Sequence, residues 1–191
     1  GKLHPITDKF KILFVGRHIE RKGLEYLLKA AALLQNEPFE FRIAGQGDLT
    51  EALKQKAKNL PNVIFTGKLS SEELEQEYQS ANAFVLPAIV DSKGDTEGLG
   101  VVLIEAAEYD LPIVASNVGG IPDVVIHEKT GILVPEKNPE ALANAFKRLA
   151  ENKNQAENFI QNAMEHIQKN FSWDAILEKQ VNAYLRLQKK H

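Results

Sequence analysis

The sequence predicts an α/β domain built on a doubly wound, parallel, six-stranded sheet with a helical C-terminal tail. Three observations carry this expectation. Six short apolar runs alternate with segments of helical periodicity, the pattern of repeated strand–helix units. The runs are almost wholly apolar rather than alternating, as in strands covered on both faces. Most of them close on glycine or proline, where the chain must turn towards the next helix.

Residues 1–10 show no periodicity, contain Pro5, and read as a linker arm. The first strand is KILFVG at 11–16, followed by a charged turn and the helical segment LEYLLKAAALLQ. FEFRIAG at 39–45 repeats the unit, with Gly45 and Gly47 at the turn and a helix from Leu49 to Leu60. Pro61 and Asn62 precede the third strand, VIFTG at 63–67, and Ser70-Ser71-Glu72-Glu73 reads as a capped helix start. AFVLPA at 83–88 is the fourth strand; the polar loop IVDSKGDTEG separates it from the apolar helix VVLIEAAE. LPIVAS at 111–116 is the fifth strand, GGIPDVVI a turn with a short helix, and GILVP at 131–135 the sixth strand. Asn138-Pro139-Glu140 opens a helix with proline at its first position. Helical periodicity then runs over about 139–151, 154–169 and 172–188, with Phe171 and Trp173 expected to pin the tail to the body. The sheet domain is therefore assigned to 11–170 and a terminal helix to 171–191.

With 191 residues and 43% hydrophobic content the chain can bury one core without disulfides or metals. The absence of cysteine excludes thiolate metal sites and fits a reducing compartment. A net charge of −3 argues against nucleic-acid binding, so any anion site must be local. No apolar run approaches the roughly 18 residues of a membrane span. Residue 1 is glycine and the only methionine is Met164, so the chain reads as a piece of a longer protein, expected to be cytoplasmic or peripheral to the membrane. The sequon Asn170-Phe171-Ser172, with no signal peptide before it, is read as chance.

In open α/β sheets ligands sit outside the carboxyl ends of the strands, and three such ends carry candidate chemistry. GRHIERKG at 16–23 places Arg17, His18, Arg21 and Lys22 directly after the first strand. Cations at a helix N-terminus oppose its dipole by about 0.3–1 kcal/mol, so a compensating anion is expected there. Arg17 would grip an oxygen pair and Lys22 act as a point charge. GQGDLT at 45–50 resembles a dinucleotide fingerprint but lacks the third glycine and the later acidic residue; it reads as a tight turn with Asp48 near the helix cap. His127 has no second histidine at ligand spacing and reads as a surface residue.

The third end is EGLGVVLIEAAE. Glu97 and Glu105 bracket a turn, Gly98-Leu99-Gly100, whose main-chain N–H groups face a helix N-terminus and suit an anion. Glu105 lies in an apolar helix segment, where a carboxylate needs polar partners such as a ribose diol. A glycosidase pair is the rival reading, but it leaves the anion site without a purpose.

Together VGRHIERKGLEYLLKAAALL, AGQGDL, VIFTGKLSSEEL and EGLGVVLIEAAEYDLPIVASNVGGIPDVVIHEKTGILV resemble the carboxyl-terminal domain of GT-B retaining glycosyltransferases, the glycosyl transferases group 1 family. The resemblance covers residues 11–188. It implies a Rossmann-like domain forming one half of a GT-B fold, binding a nucleotide-sugar donor, UDP-glucose or another UDP-hexose, without metal or cofactor. By the same resemblance Arg17 and Lys22 fall on the diphosphate-binding pair, Glu97 on the residue at the transferred sugar, and Glu105 on the ribose holder. The amides of Gly98, Leu99 and Gly100 approach sugar and phosphate, Thr66, Gly67, Lys68 and Leu69 lie near the base, and Gly16 is a further substrate-binding position. Arg17, Lys22 and Glu97 are thus the catalytic candidates. The family commonly has an aromatic at the position of Leu99 and a shorter loop than IVDSKGDT, and the longer loop resembles the branch that builds exopolysaccharides. The acceptor, a sugar or lipid-linked glycan, would be held by an amino-terminal domain outside this chain, towards which the terminal helix would cross, so the fragment should transfer poorly. A nucleotide-sugar epimerase of the same fold and a non-catalytic nucleotide-binding module are the alternatives; a nicotinamide oxidoreductase is disfavoured by the broken fingerprint.

Overall fold

The computed structural model describes residues 2–171. Six strands, β1 (Phe10–Val15), β2 (Phe39–Ala44), β3 (Val63–Gly67), β4 (Ala83–Leu86), β5 (Ile113–Ser116) and β6 (Ile132–Val134), form one parallel sheet in the order β3-β2-β1-β4-β5-β6. The helices are α1 (Leu24–Leu33), α2 (Thr50–Ala57), α3 (Ser71–Ser80), α4 (Val101–Glu108), α5 (Ile121–Val124), α6 (Pro139–Glu151) and α7 (Lys153–Phe171). Right-handed crossovers put α1 and α2 on one face and α3 and α4 on the other. Helix α6 packs against α1, and α7 reaches both α4 and α6. The expected doubly wound, six-stranded Rossmann-like sheet is the fold observed.

Strand β1 sits in the middle of the sheet, paired with β2 from Phe10↔Phe39 to Val15↔Ala44 and with β4 at Ile12↔Ala83 and Leu13↔Phe84. Its side chains are buried on both faces, which is why the run is continuously apolar. Phe14, Phe41 and Phe84 are fully buried, and Phe41 meets Phe146 of α6 edge to face at 5.6 Å.

The local signals act largely as read. Ser70 accepts from the Glu73 N–H while the Glu73 carboxylate accepts from the Ser70 N–H, a complete capping box. Asn138 caps α6 through the Ala141 N–H, with Pro139 at the first position. Two details differ. Helix α2 ends at Ala57 rather than Leu60, because Pro61 disfavours helical geometry in the residue before it. Its start is closed by the Thr50 hydroxyl, which accepts from the Gly47 N–H and donates to the Gly47 carbonyl, and not by Asp48.

The amino-terminal arm is tied to the body. The His4 ring bonds the Ala81 carbonyl, and Asn82 holds both the His4 carbonyl and the Lys11 N–H. Phe171 packs on the core at the end of α7. Trp173 and the terminal helix expected over 172–188 lie outside the described residues. Among the described residues no helix is long and apolar enough to cross a membrane.

Candidate functional site

The strand order reverses between β1 and β4, and the crevice outside their carboxyl ends is where such a sheet offers a ligand site. The loops leaving these two strands lie in contact. The Ile89 N–H donates to the Arg21 carbonyl at 2.9 Å, and a Cβ on Gly23 would stand 1.8 Å from the Pro87 oxygen. Across this seam Lys22 Nζ donates to Glu97 Oε2 at 2.5 Å, with both side chains only 14% exposed. Two of the sequence clusters, 75 residues apart, therefore meet in one ion pair. The cation that opposes the α1 dipole has found an anion, and the protein itself supplies it.

The residues 20–22 that carry this cation form a short 3-10 helix within the charged turn after β1. Glu20 of that turn receives the Ser92 N–H and hydroxyl, and Glu136 receives the Val90 N–H, so the long loop after β4 is held at two points. Its Asp91 caps a local turn through the N–H groups of Lys93 and Asp95.

Next to the pair an open cleft of about 470 Å³ runs over the ends of β1, β2 and β3. Gly16 and Arg17, Gly45 and Gln46, and Lys68, Leu69 and Leu74 wall it. Arg17 and Lys68 are exposed, and neither has a carboxylate partner among the described residues. Lys22 belongs to the same surface, since its Cε lies 3.8 Å from where a Gly16 Cβ would be. The strand-end turn GQG, read as structural, thus contributes Gly45 and Gln46 to the cleft wall. Gly45 must be glycine, because a Cβ there would stand 2.0 Å from the Gly16 oxygen. Thr66 and Gly67 do not wall the cleft: the Thr66 hydroxyl points at the Ile43 carbonyl, and the Gly67 carbonyl is taken by the Gly45 N–H.

The turn before α4 is exposed at Gly98 and Leu99. The N–H groups of Gly98, Leu99 and Gly100 have no acceptor among the described residues, and Gly100 caps α4 without a side-chain bond. The helix N-terminus is thus left open to an anion. What seats this turn is the glycine pair after β5. The Gly120 N–H bonds the Glu97 carbonyl at 3.2 Å; a Cβ on Gly119 would come within 2.1 Å of the Glu97 oxygen, and one on Gly120 within 2.1 Å of the Gly98 oxygen.

Glu105 is half-buried rather than fully buried, and its Oε2 already accepts a hydrogen bond from the Tyr78 hydroxyl at 3.0 Å. Burial, then the neighbouring carboxylate, push the Tyr78 phenol well above its usual range, so it stays a donor. The sequence offered no signal for this partner, because Tyr78 lies on α3 and reads as an ordinary core aromatic.

His18 leaves the cationic loop and is buried outright. Its Nδ1 lies 2.9 Å from Thr50 Oγ1, and its Nε2 has no partner among the described residues. It supports the turn at Gly47, where a Cβ would stand 2.7 Å from its main-chain nitrogen and oxygen. Burial holds its pKa below the ordinary 6.5, so the unfolded chain takes up this proton first as pH falls. The His18 contribution is therefore present above about pH 6.5 and is lost below it, down to the depressed folded-state value. Denaturant unfolding across this range should show a steeper acid-side loss in the unsubstituted chain than in His18→Leu; parallel profiles would refute it. His127 is exposed, as read, and accepts from the Leu133 N–H. Among the described residues no group of three or more His, Cys, Asp or Glu side chains could hold a metal ion.

The chain matches the model of the glycosyl transferases group 1 family over residues 2–166. It is 34% identical over 181 residues to an uncharacterized glycosyltransferase of Methanocaldococcus jannaschii, covering 93% of this chain and 45% of the relative. It is 34% identical over 151 residues to the amylovoran biosynthesis glycosyltransferase AmsK of Erwinia amylovora, covering 76% and 37%. Among solved structures, sucrose-phosphate synthase from Thermosynechococcus elongatus superposes with a TM-score of 0.76 at 32% identity, over 96% of this chain and 47% of that one. The chain thus spans about half the length of such relatives or less. With its parallel sheet, its switch-point ion pair and this breadth of match, the chain belongs to the glycosyl transferases group 1 family, as a Rossmann-like half of a GT-B fold.

Proposed function

We propose that this chain is the donor-binding half of a retaining, metal-independent hexosyltransferase that uses a UDP-hexose, such as UDP-glucose, in polysaccharide or glycoconjugate synthesis. One observation carries the reading: the Lys22–Glu97 pair joins the loop of Arg17, which has no carboxylate partner among the described residues, to the turn 98–100, whose main-chain N–H groups have no acceptor among them. That arrangement offers a diphosphate both positive charge and oriented donors in one crevice. The acceptor would be bound by the rest of a longer protein.

In the proposed reaction the bond between the anomeric carbon and the β-phosphate oxygen breaks with its electron pair staying on that oxygen, while an acceptor hydroxyl oxygen bonds to the anomeric carbon and its proton leaves with the UDP. Arg17, Lys22 and the amides of 98–100 stabilise the charge that develops there, in the place a divalent ion would otherwise take. Such preorganised stabilisation is typically the largest catalytic contribution. Glu97 faces the transferred hexose, Glu105 the ribose hydroxyls, and Gly16, Lys68, Leu69 and the newly placed Gly45 and Gln46 the nucleoside. The name of AmsK, a polysaccharide-synthesis enzyme, supports the product class.

Calorimetry with UDP, GDP and inorganic pyrophosphate tests this directly. UDP is expected to bind in the micromolar to millimolar range and to weaken as salt rises. Glu105→Ala should weaken UDP about tenfold, the scale of a lost bond to a charged group, and leave pyrophosphate unchanged. Equal losses for the two ligands would sink the ribose role. No UDP binding at millimolar concentration would sink the site.

A further inference from the structure

We propose that Tyr78 is the positioning residue of the donor site: its hydroxyl holds one oxygen of Glu105 so that the carboxylate stays aimed at a vicinal diol. This rests on the ribose role proposed above for Glu105. Glutamate has three rotatable bonds, and a half-buried one on a helix face would sample several rotamers. Here the tyrosine hydroxyl fixes it at 3.0 Å.

The ring that carries this hydroxyl is clamped. Tyr78 is 2% exposed and stacks on Tyr109 at 4.8 Å with an interplanar angle of 7°, and on Phe84 of β4 at 5.9 Å. Tyr109 follows α4 and donates its N–H to the Glu105 carbonyl. Helix α3 therefore grips α4 through both the side chain of residue 105 and the ring one turn further on. The hydroxyl is neither exposed to water nor bonded to a main-chain carbonyl of its own helix, as a tyrosine serving only to fill the core could be.

The hydrogen-bond stoichiometry fits a diol. An ionised carboxylate offers about four lone-pair positions, two on each oxygen. Tyr78 occupies one on Oε2. Three remain, enough for two ribose hydroxyls to donate side by side, one to each oxygen. The phenol keeps its proton beside the carboxylate, so its hydroxyl goes on donating to Oε2 and leaves the remaining positions to the ligand.

Calorimetry on the 191-residue chain with UDP and 2′,3′-dideoxy-UDP tests the assignment in Tyr78→Phe, Glu105→Ala and the double variant. Phenylalanine keeps the stacked ring and removes only the hydroxyl. The expected result is UDP binding weakened about 3- to 10-fold in Tyr78→Phe, the dideoxy nucleotide unaffected, and no further loss when Tyr78→Phe is added to Glu105→Ala. Unchanged UDP affinity in Tyr78→Phe, beside a clear loss in Glu105→Ala, would overturn the role of Tyr78 and leave the ribose role standing. Equal weakening of both nucleotides in Tyr78→Phe would show a merely structural hydroxyl and also overturn it. Equal weakening of both in Glu105→Ala, or no UDP binding by the unsubstituted chain, would overturn the ribose reading and with it this one.

Discussion

Gly120→Ala is expected to weaken UDP binding about 30-fold or more, some 2 kcal/mol, while leaving a folded domain. Residue 120 has φ −86°, outside the left-handed region that only glycine enters readily, so the backbone does not require glycine there. The obstacle is contact: the new Cβ would stand 2.1 Å from the Gly98 oxygen and 3.0 Å from its carbon. One of the two turns must move by about an ångström, an overpacking cost of roughly 1–3 kcal/mol. The 97–100 turn is the exposed partner and gives way. Its three free N–H groups then point off the diphosphate, and the Gly120 N–H bond to the Glu97 carbonyl lengthens or breaks. Calorimetry with UDP reads the loss, and denaturant unfolding verifies that the domain persists. A folded variant with unchanged UDP affinity would show that the turn is not part of the site.

Glu97→Gln is expected to act in the opposite direction on the nucleotide alone, tightening UDP about tenfold, ~1.4 kcal/mol. The Glu97 carboxylate is paired with Lys22, and a diphosphate must displace it or share the ammonium with it. Both side chains are largely shielded, so their attraction is poorly screened by salt and the competition is felt. The amide removes the competing charge and one source of repulsion beside the phosphates. UDP-glucose should gain less than UDP, because the proposed contact of Glu97 with the hexose is weakened by the same change. In a full-length enzyme transfer should fall by about 10²–10³. Weaker UDP binding in Glu97→Gln would mean that the pair holds the crevice open rather than competing with the ligand.

The fold was largely legible in the residues because its signals are local. Continuous apolar runs such as KILFV mark strands buried on both faces, and the capping box at Ser70 and the Asn138-Pro139 start mark helix ends within a residue. The departures are local too. Leu60 lies next to Pro61 and falls out of α2, and Thr50 rather than Asp48 closes its start.

The site was legible as a set of residue types at strand ends, and much less as a set of partners. Gly16, Arg17, Lys68 and Leu69 do share one cleft, because consecutive parallel strands deliver their carboxyl ends to one edge of the sheet. Thr66 bulges out of the β2–β3 register with its hydroxyl on the Ile43 carbonyl, Gly67 pairs with β2, and Gly45 and Gln46, read as a plain turn, take a place on the wall.

The sequence by itself determined the class of fold and the family, and suggested the neighbourhood proposed for a donor, since periodicity, turn chemistry and glycine spacing act over a few residues. Only the tertiary structure decided who meets whom: Lys22 with Glu97, Tyr78 with Glu105, Gly120 with the carbonyl of Gly98. Each of these contacts joins loops or helices separated by at least one strand of the sheet. Which partner a side chain finds there depends on strand order and on distances of a few tenths of an ångström.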